Sequence, residues 1–129
     1  MSDNLLLKGL KVIDAGSFIA GPVSTTILSD FGAEVIKIEP PKTGDSLRHL
    51  IERTKRVNPS SEEDYCWQLT SRNKKSLALD LGSEKGQEIL HKLIKEADVF
   101  VTNMPQRIRE KLKINSSDLL PLNERLIYG

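Results

Sequence analysis

The sequence predicts an α/β fold: a Rossmann-like, mostly parallel sheet with helices on both faces. Three observations carry this expectation. Short β-branched runs alternate with helical patterns, the mark of strands joined by crossover helices. The first strand–helix–strand unit closes within about 30 residues, the size of a βαβ motif, and such crossovers are nearly always right-handed. After one irregular stretch the same alternation resumes and runs to the last residue.

Taken in order, the first strand is expected over Lys11–Ala15 (KVIDA). Pro22 should open a helix, because its missing N–H has no intrahelical partner at that position. Val23, Ile27, Leu28 and Phe31 recur at helical spacing and are expected to face the core. Gly32 should end that helix in the left-handed conformation that costs glycine little. A second strand follows at once over Glu34–Glu39 (EVIKIE). Pro40-Pro41 breaks the pattern and opens an irregular stretch to about Lys74. Within it, Ser46–Arg56 has a helical pattern with Leu47, Leu50 and Ile51 inward, and Asn58–Asp64 (NPSSEED) reads as a polar loop. The third strand is expected at Ser76–Leu81 (SLALDL). Ser83 is a good cap for the next helix, with Glu84 in its first turn and Ile89, Leu90, Leu93 and Ile94 as its buried stripe. Val99–Asn103 is the fourth strand, followed by a short basic helix around Ile108–Leu112. A helical turn near Ser117–Leu120 leads to a last strand at Arg125–Tyr128. Parallel strands need helices on both faces, so an ending within a residue of a strand suggests a sheet incomplete at its C-terminal side.

Bulk properties exclude several classes. At 129 residues the chain fits one domain with a real core. No apolar run approaches the ~20 residues of a membrane span, and the start, Met1-Ser2-Asp3-Asn4, lacks the basic and apolar segments of a secretory signal. One cysteine, Cys66, allows no internal disulfide, which suits a reducing, cytoplasmic setting. A formal net charge of +1 provides no global field for nucleic acid, so any anion site must be local.

Candidate chemistry is sparse when the residues are read alone. The first strand leads into Gly16-Ser17-Phe18-Ile19-Ala20-Gly21-Pro22, a small-residue turn whose backbone N–H groups, at a helix N-terminus, suit an anion or a polar cofactor group. The glycines stand five apart and no G-x-G-x-x-G is present, so this is not the dinucleotide fingerprint; a plain tight turn is the competing reading. Asp14, at the end of the first strand, has no acidic neighbour and reads as structural. Arg72, Lys74 and Lys75 form a basic cluster of the sort that usually makes a solvated face, a role near phosphates or in subunit packing being the other readings. Cys66 has no evident base partner and reads with Trp67 as part of the packing. His91 falls on the polar side of its helix and is expected to be exposed.

The segment LKGLKVIDAGSFIAGPVSTTILSDFGAEVIKIEPPKTGD resembles the opening of class III CoA-transferases, the family of formyl-CoA and carnitine CoA-transferases with α-methylacyl-CoA racemase as a relative. Three more blocks match in order: Ser71 to Leu81 (SRNKKSLALDL), EADVFVTN and NERLIYG. The resemblance covers essentially all of residues 7–129. It implies that residues 1–129 form the N-terminal, CoA-binding Rossmann-like domain of a longer chain, with no second domain present. It also implies an interlocked homodimer, acyl-CoA and carboxylic acid substrates, coenzyme A handled as substrate, and no metal, nucleic acid or membrane partner. CoA would move from donor to acceptor through an aspartyl-CoA intermediate. The family's aspartate lies past residue 129, so no catalytic residue is assigned within the chain. Neither His49 nor His91 aligns with the family's catalytic roles.

For the coenzyme, the resemblance implies contacts from three loops that follow strand C-termini, where ligands bind in open α/β sheets. These are Ser17, Phe18, Ile19 and Ala20 in the first; Leu79, Asp80, Leu81 and Gly82 in the second; and Asn103, Met104 and Pro105 in the third. Lys111, one helical stretch later, would meet phosphate as a point charge. The chain departs from the family pattern in two places: Asn103-Met104-Pro105-Gln106-Arg107 stands where N-F-R-P-G is usual, and Lys113 stands where a glycine is usual. Two alternatives to a transferase are a racemase-type member, disfavoured by the long Asp45–Arg72 stretch, and a non-catalytic CoA-binding module or remnant.

Overall fold

The computed structural model describes residues 5–50 and 65–129. Five strands form one sheet: β1 (Lys11–Asp14), β2 (Glu34–Glu39), β3 (Lys74–Ala78), β4 (Val99–Val101) and β5 (Ile127–Tyr128). Their spatial order is β3-β2-β1-β4-β5 and every pairing is parallel. The direction of winding therefore reverses between β1 and β4, the switch point at which doubly wound sheets open a crevice. Among the described residues five α-helices accompany the strands: α1 (Ala20–Asp30), α2 (Tyr65–Ser71), α3 (Glu84–Glu96), α4 (Gln106–Lys111) and α5 (Ser116–Leu119).

Alternation along the strands separates two faces. Val12 and Val35 join Ala33 in a small cluster with Leu28 of α1. Ile13 and Ile38 point the other way, into the main core with Leu90 and Ile94 of α3 and the buried Phe100 of β4. Helices thus cover both faces, as the sequence predicts. Phe100 stacks on Tyr128 with ring centroids 5.5 Å apart, and the Tyr128 hydroxyl donates to the Ile114 carbonyl at 2.8 Å, fastening β5 to the loop after α4.

Helix α3 follows its sequence pattern closely. The Ser83 hydroxyl accepts the Gly86 N–H at 3.0 Å as N-cap, Leu90 and Ile94 are buried, and Ile89 and Leu93 are partly buried. Other elements differ from expectation. Helix α1 begins at Ala20, placing Pro22 in its first turn rather than at its start. Its buried face is Gly21, Pro22, Thr25, Thr26 and Ser29, whereas Ile27 and Phe31 are half exposed. The cause lies beneath the helix: the sheet there carries the buried pair Asp14–Lys74, whose carboxylate accepts the Thr25 hydroxyl and whose ammonium donates to the Pro22 carbonyl, partners that methyl groups cannot replace. β3 begins two residues before the expected strand and ends at Ala78, because its ladder with β2 runs from Val35↔Lys74 to Glu39↔Ala78. Residues 46–49 form a 3-10 turn with Leu47 buried and Leu50 as its C-cap, and residues 51–56 of the expected Ser46–Arg56 helix lie outside the described residues, as do residues 58–64. Helix α2, carrying Cys66 and Trp67, stands where the sequence predicts only an irregular stretch.

Candidate functional site

The carboxyl ends of the strands are organised by buried charges. Asp14 of β1 accepts the Gly16 N–H at 2.9 Å and the Thr25 hydroxyl at 2.7 Å, and pairs with the Lys74 ammonium at 2.9 Å. Lys74 also donates to the carbonyls of Pro22 and Thr70. Burial drives its ammonium below the ordinary lysine range, a pull that Asp14 opposes. Lys37 of β2, equally buried, lies 2.8 Å from Asp45 and donates to the Gly16 carbonyl at 3.0 Å. Glu39 receives Arg48 through both carboxylate oxygens, at 2.6 and 2.8 Å, together with the Asp45 N–H and the Ser76 hydroxyl. Burial alone would raise its pKa; Arg48 and the other donors outweigh that and hold it at about 2. The Arg48 guanidinium in turn lies 3.7 Å above the Trp67 ring. Arg72 and Lys75 bridge to Asp30 and Glu34. Lys74 alone departs from a solvated face, its ammonium buried in the pair with Asp14, while Arg72 and Lys75 stay exposed and form their ion pairs at the surface.

This network shapes the first turn. Gly16 and Gly21 serve close packing: a Cβ on either would sit 3.1 Å from the other's Cα. The left-handed residue is Phe18, at φ +67°. The N–H groups of Gly16, Ser17 and Phe18 go to Asp14, Asn103 (2.8 Å) and Asp45 (3.0 Å). They are satisfied from within, contrary to the expectation that the turn offers them to a ligand. What the turn presents outward is the side chains of Phe18 and Ile19 and the start of α1, whose N-cap residue Ile19 makes no side-chain cap.

The second and third loops converge differently. Leu79, Asp80, Leu81 and Gly82, together with Met104 and Lys111, line a cleft of about 290 Å³ with Ala15, Ile38, Pro40 and Leu112. Leu79 and Leu81 are buried in the core, while Asp80 uses its carboxylate to accept the Gly82 N–H at 2.9 Å. Ser17, Phe18, Ile19, Ala20, Asn103 and Pro105 do not line this cleft. Asn103 instead spans the switch point, accepting from the Ser17 N–H and donating to the Ser17 carbonyl, both at 2.8 Å. Ala15, Ile38 and Pro40 were missed, although the rule that ligands meet strand C-termini applies equally to the end of the second strand. A neighbouring chamber of about 370 Å³ shares the wall Leu81, Gly82, Lys111 and Leu112 and adds Gln87, His91 and Lys113. His91 is half-buried on that wall rather than exposed. Among the described residues, no group of three or more His, Cys, Asp and Glu is placed to hold a metal ion, and no helix is long and apolar enough to cross a membrane.

A parallel α/β sheet in 3-2-1-4-5 order, with clefts between the loops at its carboxyl edge, defines a Rossmann-like domain. Residues 7–129 match the model of CoA-transferase family III, and the chain belongs to that family. It is 44% identical over 97% of its length to the (R)-2-hydroxy-4-methylpentanoate CoA-transferase of Clostridioides difficile, covering 31% of that protein. It is 38% identical over 96% of its length to the cinnamoyl-CoA:phenyllactate CoA-transferase of Clostridium sporogenes, covering 30%. Among solved structures, a CAIB/BAIF family protein from Brucella suis superimposes with a TM-score of 0.79 at 32% identity, over 98% of this chain and 33% of that one. The chain thus spans about a third of the length of the relatives it matches.

Proposed function

We propose that this chain is the N-terminal, coenzyme-binding portion of a CoA-transferase that moves CoA from an acyl-CoA to a carboxylic acid. The observation that carries the reading is the cleft at the carboxyl edge, where the loop Leu79–Gly82, Met104 and Lys111 meet, in a chain whose family membership spans residues 7–129. Lys111 supplies a charge for a coenzyme phosphate, and the exposed Phe18 and Ile19 supply apolar surface at the mouth of the switch point.

In the proposed reaction an aspartate from polypeptide beyond residue 129 attacks the donor thioester. The C–S bond breaks, CoA leaves as thiolate and an acyl-aspartyl anhydride forms. The thiolate then attacks the aspartyl carbonyl, releasing the donor acid and leaving an aspartyl-CoA thioester. The acceptor carboxylate runs the same two steps in reverse and restores the aspartate. No metal takes part. The domain acts within an interlocked homodimer in the cytoplasm, and residues 1–129 by themselves bind CoA weakly and transfer nothing.

The test is to express the chain alone and with any in-frame continuation of its coding sequence, and to assay both against panels of acyl-CoA donors and carboxylate acceptors. Transfer by the continued chain only, abolished when a candidate aspartate in it becomes asparagine, is the expected result. Turnover by the 129-residue chain alone overturns the placement of the nucleophile. A continued chain that binds CoA yet transfers it to no acid overturns the transferase reading in favour of a binding module.

A further inference from the structure

Helix α4 ends in a way its sequence does not favour. Lys113 follows the C-cap Leu112 with φ +53°. Its N–H donates to the Glu110 carbonyl at 3.2 Å, and the next N–H, from Ile114, returns to Arg109 at 3.0 Å. These two bonds make the left-handed helix ending for which glycine is by far the preferred residue, because any side chain there crowds the backbone. The lysine nevertheless occupies the position and lines the chamber of about 370 Å³ beside the coenzyme cleft.

The rest of that chamber is polar and tied in place. Gln87 donates to the carbonyls of both Leu81 and Leu112 at 2.6 Å, joining the two walls. Ser83, Glu84 and His91 complete the polar lining with the two lysines. Among the described residues Lys111 and Lys113 form no ion pair, as Lys42, Lys85, Lys92 and Lys95 form none, and these two stand apart in lining one chamber together. Two unpaired ammonium groups and an imidazole face one carboxylate, Glu84, so the chamber favours an anion. It lies to the side of the cleft across the wall Leu81, Gly82, Lys111 and Leu112, where a branch of the ligand, and not its main axis, would enter.

We propose that Lys113, with His91 beside it, makes this chamber a receptor for a phosphomonoester branching from the coenzyme, the 3′-phosphate of its ribose. The inference rests on the coenzyme-binding reading above and deepens it, and it separates the lysine's two effects: a conformational burden on the fold and a gain in ligand affinity.

The chain and its Lys113→Gly and Lys113→Met variants would be titrated by NMR, at up to millimolar ligand, with CoA and with 3′-dephospho-CoA, and their thermal midpoints measured. Lys113→Gly is expected to melt at the same temperature as wild type or higher. It should bind CoA about five- to tenfold more weakly, the loss expected for one charge-assisted contact, and bind 3′-dephospho-CoA unchanged. Lys113→Met, which keeps the strained backbone and loses the charge, should show the same loss for CoA. Equal effects on both ligands, or none on either, overturn the phosphomonoester assignment and leave the coenzyme reading standing. A wild-type chain that binds neither ligand overturns the coenzyme reading itself, and this inference with it.

Discussion

The Lys37 ammonium lies 2.8 Å from the Asp45 carboxylate with each side chain 2% exposed, and Asp45 also receives the N–H of Phe18 at 3.0 Å. A buried ion pair is thereby connected to the left-handed residue of the first turn. Breaking such a pair from one side strands a charge in the interior, which typically costs about 3–5 kcal/mol. Lys37→Met should lower unfolding free energy by about that amount in urea denaturation. Asp45→Ala should lower it further, because the N–H groups of Phe18 and Leu47 lose their acceptor as well. Adding Lys37→Met to Asp45→Ala should restore part of the loss; a double variant weaker than both single ones would contradict this account.

Gly86 allows the start of α3 to press against the Asp80 loop. A Cβ there would lie 1.8 Å from the Asp80 carbonyl oxygen, whereas one on Gly82 would come no closer than 3.2 Å to the Asp80 carboxylate. Gly86→Ala should therefore destabilise the protein by roughly 1–3 kcal/mol despite alanine's better helix propensity. Gly82→Ala should change little. Comparing the two melting temperatures checks the difference.

Acid should weaken the fold through Glu39. Its carboxyl titrates at about 2 in the folded chain against an ordinary value of 4.5. A depressed carboxylate stabilises the folded state above its unfolded pKa, and that contribution is lost as pH falls from about 4.5 towards 2. The loss is on the order of 3 kcal/mol, by the rule of about 1.4 kcal/mol for each pKa unit. Stability curves at several acidic pH values should show a steeper decline in wild type than in Glu39→Gln, which starts less stable and is flatter.

The half-exposed Ile27 and Phe31, one turn apart on α1, lie on a helix that packs against α2, whose Leu69 is 62% exposed. An apolar surface of this kind promotes association. The chain should sediment with a concentration-dependent mass, and Ile27→Glu/Phe31→Glu should shift it towards monomer without lowering its thermal midpoint by more than about 1 kcal/mol in equivalent stability.

What the sequence made legible was the part governed by local period. β2 runs Glu34–Glu39 as expected, α3 buries its expected stripe, and the alternation of strands and helices holds, whereas the strand order is read only from the fold. Half of the stripe expected on α1, Ile27 and Phe31, faces outward because the helix's partners are not local: Asp14 and Lys74 meet it from other strands, and nothing within Ala20–Asp30 announces them. The third strand was placed two residues late because Leu77, Leu79 and Leu81 alternate convincingly, yet the ladder with β2 ends at Glu39↔Ala78, the Leu79 N–H to the Glu39 carbonyl being its last bond. Of the three loops carried over by resemblance, the second and part of the third share a cleft. The first is held apart because Asp45, 27 residues on from Phe18 and at the end of the first matching block, captures its backbone, a contact that no local pattern announces.

The hydroxyls of α1 carry a consequence for how that first loop is aimed. A helix seated on an oily stripe can roll a little with small loss, since dispersion contacts have no direction. Here Thr25 is fixed to Asp14, and Thr26 to the Pro22 and Thr70 carbonyls, so the helix is keyed to one azimuth. The direction in which Phe18 and Ile19 project is thus fixed from two sides, by Asp45 and Asn103 on the backbone of the turn and by hydroxyl stereochemistry in the helix it leads into.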